Sequence, residues 1–353
     1  MGRAIPLRNE TVDALRGLAA LAVCIGHLCG PTGQPGLHGI VDAAAVTQYG
    51  SYGVTVFFVI SGFIVPYAMD RAGYRIQRLP QFLLRRVVRL EPPYPISIAL
   101  IFLLGLAAAA TPGFRGQPLE WSAVQVLSHA GYLTGFLGFR WFNVVYWTLA
   151  IEFQFYLLIA VIFPLLISTR SLSQIGSVAV CAAIPLLVPS IPPAENQTPA
   201  FVLLLLPPFA AGILTFKFLT GRVQSTWYWA ALAALVGLTA WRGGVAMAVA
   251  AGTTAAVIAA VRLPRFRPLA FLGTISYSLY LVHLPIGPKI INLANRLGSS
   301  LAFEISVFLA AVVVCIGVAA VFYRFVERPA LKLASRIGYD AEPASLQVAM
   351  SPA

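Results

Sequence analysis

The chain has 353 residues, of which 59% are hydrophobic and 10% charged, against roughly 45–50% and 25% in soluble domains. Its 12 acidic and 24 basic residues, at a mean hydropathy of +0.83, cannot cover a water-facing surface, so a soluble protein is excluded and the lipid bilayer is the first partner. The net charge of +12 does not indicate nucleic acid, because no solvated domain remains to carry a basic face.

Gaps between charges mark the spans, since a helix crossing hydrocarbon needs about 20 mostly apolar residues. Arg3 and Arg8 precede an apolar stretch with no small-residue cleavage site, so a retained first helix is expected, charge-free over 17–41. Arg16 and His27 on it are eleven positions apart. At about 100° per residue that is close to three turns, which puts both on one face about 16 Å apart along the axis. Arg16 could serve as a cytoplasmic anchor paired with Asp13, and His27 as a packed core histidine, or both could serve a site.

The second span, 43–69, contains Ser61-Gly62, small residues that let helices approach closely. The loop after it is basic. Arg85, Arg86 and Arg89 precede Pro92, with Arg85 and Arg89 one helical turn apart. Such a fork of guanidiniums suits phosphate, and it equally suits topology and contact with anionic lipid. A third span follows at 92–114. The charge-free segment 121–139 holds Ser122, Gln125, Ser128, His129 and several glycines, too polar for lipid, so an interfacial or re-entrant piece is expected there.

The fourth helix, about 142–169, carries Glu152 some nine residues from its outer end. That is about 14 Å deep, which requires a partner or a wet cavity. Further spans are expected at 171–194, 196–216, 223–241, 243–261, 268–288 and 305–323. The ninth places Ser276, Tyr280 and His283 on one face at i, i+4 and i+7, and the last ends in Glu327-Arg328-Pro329, a cytoplasmic cap.

The reading is an all-α polytopic membrane protein of about ten helices in one bundle. Of the 24 Lys and Arg residues, 19 fall on the side of the two termini and 5 on the other, which makes both termini cytoplasmic. Residues 1–338 form one membrane domain and 339–353 a frayed tail. Cys24, Cys29, Cys181 and Cys315 show neither a metal-ligand nor a disulfide pattern and are read as packing residues, with no metal expected. Depth then sorts the polar groups: Arg16, Arg85, Arg86 and Arg89 toward the cytoplasm, and His27, Glu152 and His283 in the outer half.

In this order and spacing the sequence resembles acyltransferase family 3, the polytopic membrane acyltransferases of bacterial envelopes. The resemblance rests on Arg16 and His27 in the first helix, FFVISGF at 57–63, RRVVRLEPPY at 85–94, WTLAIEFQFY at 147–156, SYSLYLVH at 276–283 and ERPA at 327–330. Glu91 departs from the pattern, which has an uncharged residue there. The resemblance implies transfer of an acyl group, commonly acetyl from acetyl-CoA, to a hydroxyl beyond the membrane. The acceptor would be an envelope polysaccharide, exopolysaccharide or lipid-linked glycan, and a multi-pass protein of the cell inner membrane is implied.

His27 becomes the catalytic residue with Arg16 beside it, and Glu152 or another acid sets its tautomer. Arg85, Arg86, Arg89 and Ser61 become donor contacts, and Tyr280, His283 and Trp147 line or support the substrate site. A fused periplasmic esterase-like domain, carried by some members, is not expected. His27 could act as a general base or carry the acyl group itself. Acylation of a small metabolite such as a macrolide sugar is the alternative acceptor chemistry. A proton-coupled transporter or flippase using His27, Glu152 and His283 is the alternative of another class.

Overall fold

The computed structural model of the chain describes residues 10–29, 43–111, 120–167, 176, 201–298 and 300–338. The expected span at 171–194 and the tail at 339–353 lie outside the described residues, apart from the single residue 176. Everything described is helix, turn or irregular backbone, with no strand among the described residues.

Helix α1 (Glu10–Leu28) and α2 (Ala43–Arg71) are followed by a short 3₁₀ turn, Ile76–Arg78, and α3 (Leu79–Leu90). A corner at Glu91 and Pro92 leads into α4 (Pro93–Ala109), then come α5 (Ala123–Ala130) and α6 (Tyr146–Ile167). After a 3₁₀ turn at Val202–Leu205 the chain continues as α7 (Leu206–Leu219), α8 (Ser225–Gly243) and α9 (Val245–Ala260). Helices α10 (Arg267–Thr274) and α11 (Ser276–Ala294), then α12 (Leu301–Phe322), a π turn at Tyr323–Glu327 and α13 (Arg328–Ser335) complete the described chain.

Six helical stretches among the described residues are long and apolar enough to cross a bilayer. Helices α10 and α11, which meet at a bend of 71°, make a seventh if counted as one broken span. Helix α9 is apolar but has only 16 residues, about 24 Å of rise, less than the roughly 30 Å hydrocarbon thickness. Segment 121–139 is not among the spans. It folds as the short α5 followed by turns, with Ser128 and His129 buried and Trp121, Val124 and Leu127 exposed, which is an amphipathic piece. Elsewhere the outward face is apolar, as at Leu103, Leu106, Val313 and Val321, which matches lipid as the surrounding solvent.

Between apolar helices in lipid there is no hydrophobic gain, so close backbone packing carries the association. Small residues supply it. A Cβ on Gly53 would lie 2.6 Å from the Ala19 carbonyl oxygen, and one on Gly17 would lie 2.8 Å from the Gly273 nitrogen. Helix α1 is therefore wedged between α2 and the bent α10–α11 pair. Added bulk at either glycine forces the helices apart, an overpacking cost of about 1–3 kcal/mol.

The packed side chains form two clusters. One is built from α2, α3 and α6 to α9, with Phe63, Phe82, Phe155, Phe163, Phe209 and Phe216 fully buried. The other joins α1, α4, α6, α11 and α12 around Leu28, Tyr94, Tyr146, Leu279 and Leu281. Val54, Phe153 and Tyr277 touch both clusters. The seam they mark holds the polar residues.

Candidate active site

One end of the seam is a cleft of about 80 Å³ lined by Arg16, Ser61, Arg86, Arg89, Glu152, Tyr156, Ser276, Tyr277 and Tyr280, with Val54, Phe58 and Leu149 among its apolar walls. Three guanidiniums and one carboxylate therefore share a small space. The Arg86 guanidinium sits over the rings of Phe82, at 5.2 Å, and Tyr156, at 5.0 Å. Cation–π contacts of this kind fix its direction. The Tyr156 hydroxyl donates to Glu152 Oε1 at 2.5 Å, and Ser61 Oγ donates to the same oxygen at 3.0 Å. One carboxylate thus ties together α2, α6 and, through Tyr156 and Arg86, α3. The Tyr277 hydroxyl reaches the Leu90 carbonyl at 3.3 Å and closes the corner before α4.

The other end is a space of about 220 Å³ lined by His27, Tyr52, Thr55, Phe58, Val144, Trp147, Leu205, Met247 and Tyr280, among others. Val54, Phe58 and Tyr280 border both spaces, so the two are neighbours separated by one layer of side chains. The Tyr280 hydroxyl stands 2.7 Å from Thr148 Oγ1, which holds it at that junction.

His27, on the last turn of α1, is half-buried and stacks on the fully buried His283 of α11, with ring centroids 5.1 Å apart. His27 Nδ1 lies 3.0 Å from His283 Nε2, and His283 Nδ1 lies 3.0 Å from the Leu279 carbonyl oxygen. A carbonyl only accepts, so His283 Nδ1 must carry the proton there, and a neutral His283 then offers a lone pair at Nε2. His27 Nδ1 is the donor to that lone pair. In neutral His27 the remaining nitrogen, Nε2, is left basic.

Helix α11 is itself clamped. Glu327 Oε2 accepts from the Ser278 backbone NH at 3.1 Å and from Ser278 Oγ at 2.6 Å, which satisfies a donor left open at the start of the helix. The carboxylate is delivered by the π turn that ends the long α12. A cap role for Glu327 was legible in its position, but that it caps a helix almost fifty residues earlier in the chain was not.

A family model for an acyltransferase domain matches residues 9–324. The chain belongs to acyltransferase family 3. It is 27% identical over 310 residues to a Komagataeibacter xylinus protein named "Putative membrane-bound transacylase BcsY", covering 79% of this chain and 72% of that one. No solved structure matches the chain. The family and this relative support a multi-pass membrane enzyme that transfers acyl groups.

Within this acyltransferase two expectations shift. The sequence places Glu152 with the histidines as a tautomer-setting acid, but its hydrogen bonds go to Ser61 and Tyr156 in the arginine cleft, and His27 is instead met by His283. The axial depth of a residue on α6 says nothing of the direction in which it points, and the first and last members of WTLAIEFQFY flank this carboxylate differently. Tyr156, one turn on at i+4, was the partner readable from spacing. The arginine fork also shifts: Arg86 and Arg89 line the cleft, whereas Arg85 does not. Positions three and four apart are both neighbours on a helix, and the packing of α3 against α6 selects the 86/89 pair. Glu91 is outside the cleft lining. Trp147 lines the His27 space, and Arg16 and Ser61 line the arginine cleft. Among the described residues no group of three His, Cys, Asp or Glu side chains converges as metal ligands do.

Proposed function

We propose that this acyltransferase moves an acyl group, acetyl in the first instance, from cytosolic acyl-CoA to a hydroxyl of an extracytoplasmic polysaccharide or lipid-linked glycan. It would do so as a ten-span protein of the cell inner membrane with both termini in the cytosol. The observation that carries the reading is the His27–His283 pair at 3.0 Å, whose His27 lines a space that adjoins a cleft lined by Arg16, Arg86 and Arg89. Arg86 and Arg89 belong to the loop side that holds most of the chain's basic residues.

In this mechanism the arginines hold the phosphates of CoA at the cytoplasmic mouth while the thioester reaches into the seam. The acceptor hydroxyl gives its proton to His27 Nε2 as its oxygen bonds to the thioester carbonyl carbon. The carbon–sulfur bond then breaks, and the proton on His27 passes to the departing thiolate, so the imidazole ends as it began. His283 holds His27 in the required tautomer throughout. Tyr280, which borders both spaces, would steady the oxyanion by turning its hydroxyl proton away from the Val145 carbonyl, 3.2 Å off. The overall reaction is transfer of an acyl group other than an aminoacyl group.

Sealed vesicles test the sidedness. Inside-out vesicles given external acetyl-CoA should acetylate a glycan acceptor trapped in the lumen, and right-side-out vesicles should not. Equal activity in both orientations would overturn the two-sided mechanism.

A further inference from the structure

A third space is not used by this mechanism. It is a groove of about 1120 Å³ between α4, α11, the backbone leading into α6 and the segment around α5. That exceeds the roughly 300–1,000 Å³ of small-molecule pockets, so it suits a length of chain better than one compact metabolite. Its walls pair the aromatic rings of Trp121 and Trp141 with the amides of Gln125 and Asn143. Its charged residues are Arg140 and Lys289, set against the single acid Glu120. Neither base has a carboxylate partner within ion-pairing distance among the described residues.

The groove also leads to the chemistry. Val144 lines both the groove and the His27 space, so the two adjoin at that residue. Its floor is built rather than incidental. His129, fully buried, accepts the Phe142 backbone NH at Nε2 and lies 2.9 Å from the Gln125 carbonyl through Nδ1. The same ring stacks on Phe142 and meets Trp141 edge-on. The Gln125 side chain in turn donates to the Arg140 carbonyl at 2.8 Å, which pins the backbone that presents Arg140.

We propose that this groove binds the acceptor as a segment of acidic carbohydrate, with Arg140 and Lys289 reading carboxylate or phosphate groups on the chain and the tryptophan faces covering sugar rings. The proposal rests on the acyltransferase reading and adds the acceptor's charge to it. An aromatic floor with fixed amides offers hydrogen bonds and flat apolar faces together, the combination that a polyhydroxylated ring presents in return. An anionic lipid headgroup would use the two cations but neither the rings nor the amides.

The full-length protein in phosphatidylcholine nanodiscs is titrated with an oligosaccharide of uronic acids and with a neutral oligosaccharide of equal length, read by tryptophan fluorescence. The acidic probe should bind about tenfold more tightly at low salt, with the advantage shrinking as salt rises. Arg140→Gln and Lys289→Gln should each reduce that advantage, and the double variant should abolish it. Equal binding of both probes by the wild type, or an advantage that survives in the double variant, would overturn the proposal. So would a response to phosphatidylglycerol in place of the acidic probe. The titration needs no acyl transfer. Vesicles that transfer acyl groups while the wild type shows no acidic preference would remove the groove assignment alone, and an acidic preference without transfer would remove the enzyme reading alone.

Discussion

The two ends of the seam handle polar groups in opposite ways. At the arginine end, three cations face one carboxylate, and the carboxylate is already engaged by Ser61 and Tyr156. Glu327 and Asp13 offset these cations from behind the cleft wall, but at the cleft surface the guanidiniums outnumber the one carboxylate, and a polyanion is what would complete them. At the histidine end no formal charge is needed, and each ring nitrogen of His283 is committed, one to the Leu279 carbonyl and one to His27. The surplus there is one lone pair on His27 rather than a field. A site for holding a ligand and a site for moving a proton can therefore be told apart by what each leaves unsatisfied.

Removing the lone pair should have the largest effect. His27→Ala is expected to lower kcat at least about 10²-fold, the scale of a positioned acid–base group, while acyl-CoA still binds at the arginine end. His283→Ala should cost less, about tenfold, since His27 remains but its tautomer is no longer imposed. His283→Gln should recover part of that loss, because the amide oxygen can accept from His27 Nδ1. Steady-state kinetics with each variant in nanodiscs decides it. If His283→Gln is as slow as His283→Ala, the hydrogen-bond role fails and only packing is left.

The arginine end should respond in KM instead. Arg86→Ala and Arg89→Ala are each expected to raise KM for acyl-CoA about tenfold, as loss of a charge-assisted contact would, with a smaller change in kcat. Arg85→Ala should change it less, since Arg85 is outside the cleft lining. Lysine at 86 or 89 should rescue only in part, because the planar fork is lost at both positions and, at 86, the stacking on Tyr156 as well. Equal effects from all three alanine variants, measured by KM at fixed ionic strength, would reduce the cluster to general electrostatics.

What the sequence carried was mostly one-dimensional. Periodicity on α1 put Arg16 and His27 on one face, and the structure sets Arg16 on the cleft and His27 on the adjoining space. Polarity kept segment 121–139 from being counted as a spanning helix, and it folds as a short amphipathic helix followed by turns. Pairing across the fold was not legible: His27 and His283 are 256 positions apart, and nothing local to either announces the other. Direction was equally hidden, as Glu152 shows, because depth along a helix follows from counting residues while azimuth follows from its neighbours. The groove was missed for the same reason, its two bases, Arg140 before α6 and Lys289 in α11, being far apart in the chain and counted only for topology.

The smallest effect expected concerns the groove's floor, and it depends on pH. Burial holds the His129 imidazolium pKa below its ordinary value of 6.5, and the bond to Gln125 only partly offsets this. Because Nε2 must stay unprotonated to accept from the Phe142 NH, the fold prefers the neutral ring. The unfolded chain takes up a proton near pH 6.5 and the folded chain only below that, so this contribution is present above about 6.5 and is lost as pH falls toward the depressed folded value. The thermal midpoint should therefore decline between pH 7 and 5 more steeply in the wild type than in His129→Phe. That variant keeps a ring to stack on Phe142 but cannot titrate. It should start lower at pH 7, by the loss of two hydrogen bonds of about 1 kcal/mol each, and change less with acid. Parallel slopes for the two proteins, followed by tryptophan fluorescence on heating, would show that His129 does not control the acid sensitivity of this region.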